Sequence, residues 1–128
     1  MKNIKILVCG SRTITNKDLV WGCLDRFVDK IIPTIDDVCF LTVITGGANG
    51  TDTLAHAWAQ ARHHRTLVMR ANWNEDGKRA GFIRNERMLQ AGPNYVFGFF
   101  GETRTQGTLH MLHISKRAGI DTRFVEVK

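Results

Sequence analysis

Ile44-Thr45-Gly46-Gly47-Ala48-Asn49-Gly50-Thr51-Asp52 joins an apolar run that ends at Ile44 to a helical pattern that begins near Thr51. Three glycines in five residues permit positive φ and leave no Cβ between the backbone and a ligand. The first free N–H groups of the following helix add the positive end of its dipole. A phosphate is the natural occupant of such a turn. A Walker loop would need a Lys-Ser/Thr pair after Gly50, where Thr51-Asp52 stand. The dinucleotide fingerprint wants G-x-G-x-x-G and an acidic residue at the end of the next strand. Here the spacing is G-G-x-x-G and that strand ends at Arg70. The plain alternative is a tight strand-to-helix turn in which Asp52 favours the helix N-terminus.

Outward from this loop the pattern repeats. Residues 5–9 and 39–45 are short, nearly all-apolar runs of the kind buried on both faces of a parallel sheet, and the first stops at Gly10-Ser11-Arg12. Between them, Leu19, Val20, Cys23, Leu24, Phe27, Val28, Ile31 and Ile32 recur at helical spacing, with Thr15 or Asn16 to cap and Pro33 to close. Leu54, Ala57, Trp58 and Ala61 mark one face of a second helix, and residues 66–70 read as strand three. Periodicity then vanishes over residues 71–81, a polar loop with Trp73 as its exposed aromatic. A third helix is predicted over 82–91, strand four over 95–100, a polar loop over 101–107, a last helix to about Ala118 carrying Leu109, Met111, Leu112 and Ile114, and a final strand over 122–127.

The alternation of strand and helix with short connections predicts an α/β fold, a Rossmann-like open sheet of about five parallel strands with helices on both faces. Ligands of such sheets bind beyond the carboxyl ends of the strands. The loops after strands one to four should therefore meet in one crevice.

At 128 residues the chain is expected to be one domain, 1–128. Its 43% hydrophobic and 23% charged content argue against disorder and membrane insertion. Residues 1–8 show no secretory signal pattern, so the cytoplasm is the expected compartment. Cys9, Cys23 and Cys39 are odd in number and set in apolar runs, as buried free thiols are. The net charge of +6 favours an anionic partner, a nucleotide or a nucleic acid strand. His110 and His113 share a helix face, but neither a metal nor a cofactor is expected.

Several stretches taken together resemble the SLOG superfamily, in its small YspA-like branch. They are residues 8–12, residues 45–52 with Leu54-Ala55, Asn72-Trp73, Gly77-Lys78-x-Ala80-Gly81, Arg84-Asn85-x-x-Met88 and Gly107-Thr108. The resemblance implies binding of a nucleotide or nucleotide-derived ligand, as a signal sensor or sponge. It also implies a homo-oligomer. Two relatives supply alternatives, the Lonely Guy type nucleoside 5'-monophosphate phosphoribohydrolases and the DprA type, which binds single-stranded DNA. Arg84 matches the phosphoribohydrolase arginine. The second catalytic segment of that group, G-T-x-x-E, is matched by Gly107-Thr108-Leu109-His110-Met111, so Met111 stands where a glutamate is expected. Methionine can neither stabilise an oxocarbenium-like centre nor deprotonate water. Glu75, Asp76, Glu86 and Glu102 are the carboxylates that lie in or near the crevice loops.

The candidate ligand-binding residues are thus Gly10, Ser11, Arg12, Gly46, Gly47, Ala48, Gly50, Thr51, Asp52, Trp73, Lys78, Arg84, Asn85, Gly107 and Thr108, with Arg84 catalytic if the protein is an enzyme. Arg12 and Arg84 are read as phosphate contacts, because a guanidinium grips a phosphate with two parallel hydrogen bonds. Lys78 and Arg79 are either contacts or solvated surface. Ser11, Thr51 and Thr108 cap a turn or offer a hydroxyl. Trp73 can stack on a base, whereas Trp58 belongs to the core.

Overall fold

The computed structural model describes residues 2–31, 39–102 and 105–127. Five parallel strands, β1 (Lys2–Gly10), β2 (Cys39–Thr45), β3 (Arg65–Val68), β4 (Tyr95–Phe100) and β5 (Asp121–Glu126), form one sheet in the order β3-β2-β1-β4-β5. The helices are α1 (Lys17–Ile31), α2 (Thr51–Ala61), the single turn α3 (Trp73–Asp76), α4 (Ala80–Gln90) and α5 (Gln106–Arg117). The expected parallel α/β sheet with helices on both faces is what the chain adopts.

Strict alternation along the buried strands builds two cores. Ile6 and Val8 of β1, Leu41 and Val43 of β2 and Phe97 and Phe99 of β4 face α1 and α2, where Val20, Leu24, Phe27, Ala55, Trp58 and Ala59 meet them. Leu7, Cys9, Ile44, Val96 and Phe100 face the other way, against Met88 of α4 and Met111 and Leu112 of α5. Continuous apolar strands are the sequence mark of this double burial. Trp58 is fully buried and its indole N–H donates to Asp25 Oδ1 at 2.8 Å, which satisfies the polar end of a core aromatic.

The departures from the sequence reading are local. β1 begins at Lys2 because Lys2 to Ile4 pair with Cys39 to Leu41. β3 stops at Val68, so Met69 and Arg70 lie beyond its end. Asn16 is the cap of α1, accepting from Leu19 N at 3.1 Å. The buried face of α2 is Thr51, Asp52, Ala55, Trp58 and Ala59, with Ala61 exposed. On α5, Leu109 is 40% exposed while Thr108, Met111, Leu112 and Ser115 are buried. Residues 71–81 are largely helical. Asn72 Oδ1 accepts from Glu75 N at 3.2 Å to start α3, a 3-10 turn follows over Gly77–Arg79, and α4 begins at Ala80. Ile32 and Pro33, and the Cys39 side chain, lie outside the described residues.

Candidate functional site

The sheet changes direction at β1, whose neighbours β2 and β4 are reached by chain on opposite sides, and this is where a ligand crevice is expected in an open α/β sheet. A crevice of about 290 Å³ opens there, lined by Cys9, Gly10 and Arg12 after β1, Ala48 and Asp52 from the glycine loop and α2, Arg84, Asn85 and Met88 from α4, and Thr105, Gly107 and Thr108 at the start of α5. Loops after β1, β2 and β4 and the helix before β4 thus converge. A second compartment of about 200 Å³ shares Arg12, Arg84 and Gly107 with it and adds Trp73, Lys78, Gly81 and Phe82. The two compartments differ in kind. The first brings Asp52 and the Thr105 and Thr108 hydroxyls to the two arginines, whereas the other is walled by two exposed aromatics, Trp73 at 55% and Phe82 at 43%.

The glycine loop is held from within. Asp52 Oδ2 accepts the N–H groups of Gly46 and Ala48, each at 3.1 Å, and so takes up two donors that an incoming anion would otherwise find. Thr51 is fully buried and spends both its hydroxyl, at 3.0 Å, and its N–H, at 3.2 Å, on the Ser11 carbonyl. Ser11 is buried too, its N–H donating to Phe99 O at 2.9 Å. Gly50 lies under the Arg12 carbonyl, and Gly46 lies behind the Arg84 guanidinium. Ser11, Gly46, Gly50 and Thr51 are therefore the frame of the crevice rather than its surface, and Gly47 faces a different cavity. Gly10, Arg12, Ala48, Asp52, Arg84, Asn85, Gly107 and Thr108 line it directly, and Trp73 and Lys78 line the aromatic compartment.

Arg84 is fixed rather than free. Its Nη1 donates to Gly46 O at 3.0 Å and its Nε to Asn85 Oδ1 at 3.2 Å. Asn85 is buried and its Nδ2 donates to Gly107 O at 3.0 Å, with His110 Nδ1 at 3.1 Å. One amide thus ties α4 to the start of α5 across the crevice. Thr105 Oγ1 donates to Thr108 Oγ1 at 2.8 Å, placing two hydroxyls on the opposite wall. Thr105 and Phe82 had no motif to mark them, since one is a lone polar loop residue and the other reads as an apolar helix position.

Electrostatically the crevice carries two guanidiniums and one carboxylate. Burial lowers the affinity of Arg84 for its proton, partly offset by Asp52, yet an arginine stays charged in the neutral range. Burial pushes Asp52 up from the usual 3.8 to about 6, against the Ala48 N–H, the Arg84 charge and the Gly46 N–H. Burial drives the Cys9 thiol far upward, so it is an inert wall. Met111 is fully buried in the core, and among the described crevice residues Asp52 is the carboxylate. Glu75, Asp76, Glu86 and Glu102 do not line the crevice.

The Asp52 displacement has a measurable consequence. Between pH 3.8 and about 6 the folded chain holds a proton that the unfolded chain has released. This carboxyl's contribution to stability is therefore complete below the unfolded value and is lost as pH rises through the folded one. A displacement of that size is worth about 3 kcal/mol. We expect the wild-type protein to lose about 3 kcal/mol more than Asp52→Asn over this window in denaturant unfolding. Parallel curves for the two proteins would mean that Asp52 titrates normally.

A family model described as the YspA, cpYpsA-related SLOG family matches residues 4–75. That span holds most of β1, then α1, β2, the glycine loop, α2 and β3, and ends in α3. The Gene 61 protein of Mycobacterium phage D29 is 32% identical over 122 residues, covering 91% of each chain.

Proposed function

The chain belongs to the YspA, cpYpsA-related SLOG family, and from that premise we propose that its crevice binds a nucleotide or nucleotide-derived signal, as a sensor or sponge. The observation that carries the reading is the junction of two unlike compartments at Arg12 and Arg84. A phosphate at the junction meets both guanidiniums, and a ribose fits in the first compartment, which Thr105 and Thr108 line. The base lies between Trp73 and Phe82. Since Asp52 already occupies two loop N–H groups, the ligand's charge is met mainly by side chains.

The test is a panel of nucleoside 5'-monophosphates and cyclic and nicotinamide nucleotides, followed by mass spectrometry for bound ligand and free base. An intact bound nucleotide is expected, and no binding and no turnover across the panel would remove the crevice reading. Trp73→Ala should weaken binding roughly tenfold, since stacking on one aromatic is worth about 1–3 kcal/mol. Salt separates this from strand binding of the DprA type. A mononucleotide loses little affinity as salt rises, whereas a strand held at several phosphates loses it steeply.

A hydrolytic second reading has one observation in its favour. Asp52, at about 6, is poised as a general base in the same crevice as Arg84. Release of free base that stops in Asp52→Asn would establish it in place of Met111. For assembly we propose a homo-oligomer, supported by Leu67 and Val68 on the exposed edge strand β3 and by Phe124 on the other edge. We also propose the cytoplasm as its compartment, which suits the free thiols of Cys9 and Cys23.

A further inference from the structure

Asn85 is 3% exposed and lies among three polar partners, which leave its amide one orientation. Arg84 Nε, at 3.2 Å, is a donor and so faces Oδ1, while Gly107 O, at 3.0 Å, is an acceptor and so faces Nδ2. The second hydrogen of Nδ2 is left for His110 Nδ1, at 3.1 Å. That nitrogen must therefore accept, so it carries no hydrogen and the neutral ring holds its proton on Nε2. Burial pushes the affinity of the ring for a second proton below the usual 6.5. Glu86 of α4 opposes this and His113, on the same helix as His110, adds to it.

The same ring has a second contact. It meets Phe82 edge to face, with centroids 4.6 Å apart, and Phe82 walls the aromatic compartment. His110 lines neither compartment, yet it touches a wall of each, Asn85 in one and Phe82 in the other. Both hydrogens of the Asn85 amide are spent inside the protein. Asn85 thus has no donor left for a ligand and acts through Arg84.

We propose that His110 is a positioning residue of the crevice, whose neutral ring locks the Asn85 amide and through it the Arg84 guanidinium, and braces Phe82. The proposal rests on the reading of Arg84 as a phosphate contact. Without an acceptor at position 110, Nδ2 keeps a buried hydrogen with no partner, and the amide is drawn out of its orientation to find one. Arg84 Nε then loses its fixed acceptor, and the bond to Gly46 O is left to hold the guanidinium. Protonation of Nδ1 acts in the same way, by setting one N–H against another.

Nitrogen NMR of the full chain without ligand reads the ring directly. At neutral pH, Nδ1 should be bare and Nε2 protonated, and on acidification the Asn85 amide and Arg84 Nε–H resonances should move with the same midpoint as the ring. His110→Phe keeps an aromatic ring against Phe82 and removes the acceptor. It should move the Arg84 Nε–H resonance and weaken binding of adenosine, guanosine, cytidine and uridine 5'-monophosphates by about tenfold. His110→Asn puts an amide oxygen near the place of Nδ1 and should hold affinity to within about threefold of wild type. A hydrogen on Nδ1 at neutral pH, an Arg84 resonance indifferent to His110→Phe, or equal affinities in His110→Phe and His110→Asn would overturn the proposal. Ring and Arg84 signals as stated, in a wild-type chain that binds none of the four nucleotides, would overturn the nucleotide reading instead and leave the hold of His110 on Arg84 standing.

Discussion

Arg84→Ala is expected to weaken binding of a nucleoside 5'-monophosphate by about two to three orders of magnitude while leaving the far-ultraviolet circular dichroism unchanged. Truncating one partner of a partly buried, hydrogen-bonded charge pair costs about 2–5 kcal/mol, most of it from the charge left unmatched. Arg84 fits that description because its guanidinium is held by Gly46 O and Asn85 Oδ1 before any ligand arrives. Arg84→Lys keeps the charge but loses the planar fork, and it should fall between, roughly tenfold weaker than wild type. Gly46→Ala reaches the same group from behind, since its new Cβ would run into the Arg84 guanidinium and come to 3.2 Å from Asp52 Oδ2. Calorimetric titration of the three variants is the measurement. Undiminished affinity in Arg84→Ala would remove the guanidinium from the site.

The largest effect on stability is expected at Gly50. Its φ of 75° and ψ of −120° belong to a region that side-chain-bearing residues avoid. A Cβ there would also meet the Arg12 carbonyl, its carbon at 2.5 Å, and the Ser11 oxygen at 2.7 Å. Those atoms are backbone and cannot swing aside. Gly50→Ala should cost about 3–5 kcal/mol and lower the melting temperature by about 10–15 °C. Gly77→Ala is the control, because Gly77 has a similar φ of 60° and ψ of −136° with nothing within 4 Å of a Cβ. It should lose about 1–2 kcal/mol from the backbone alone. Equal losses at the two glycines would mean that the contact between the first and second loops contributes nothing.

Comparison of particular elements shows what a sequence can disclose about such a molecule. Strands β1, β2 and β4 were legible because burial on both faces removes polar residues from them, and the punctuation at Gly10, Gly46 and Gly101 marked where they end. The alternation of strands and helices pointed to a crevice beyond the strand ends, and the family resemblance singled out Arg84 beside it. The helical character of residues 73–79 did not, because it rests on the Asn72 cap and on Gly81 packing near Trp73, neither of which has a period. The face of α2 was misjudged for a related reason. Small residues lie all round that helix, and only packing decides that Ala55 and Ala59 turn inward. Thr45 of β2 and His56 of α2 each hold a buried polar atom without a partner among the described residues, a property no one-dimensional pattern carries.

The internal carboxylate of Asp52 bears on the speed of recognition as well as its strength. A loop held from within through two of its N–H groups, beside an arginine already clamped, starts from a pre-formed arrangement when a ligand arrives. If the crevice binds a nucleotide as proposed, encounter is steered by the pull of Arg12 and Arg84 on an anion. Discrimination among related nucleotides must in that case be exercised after arrival, in how long each one stays.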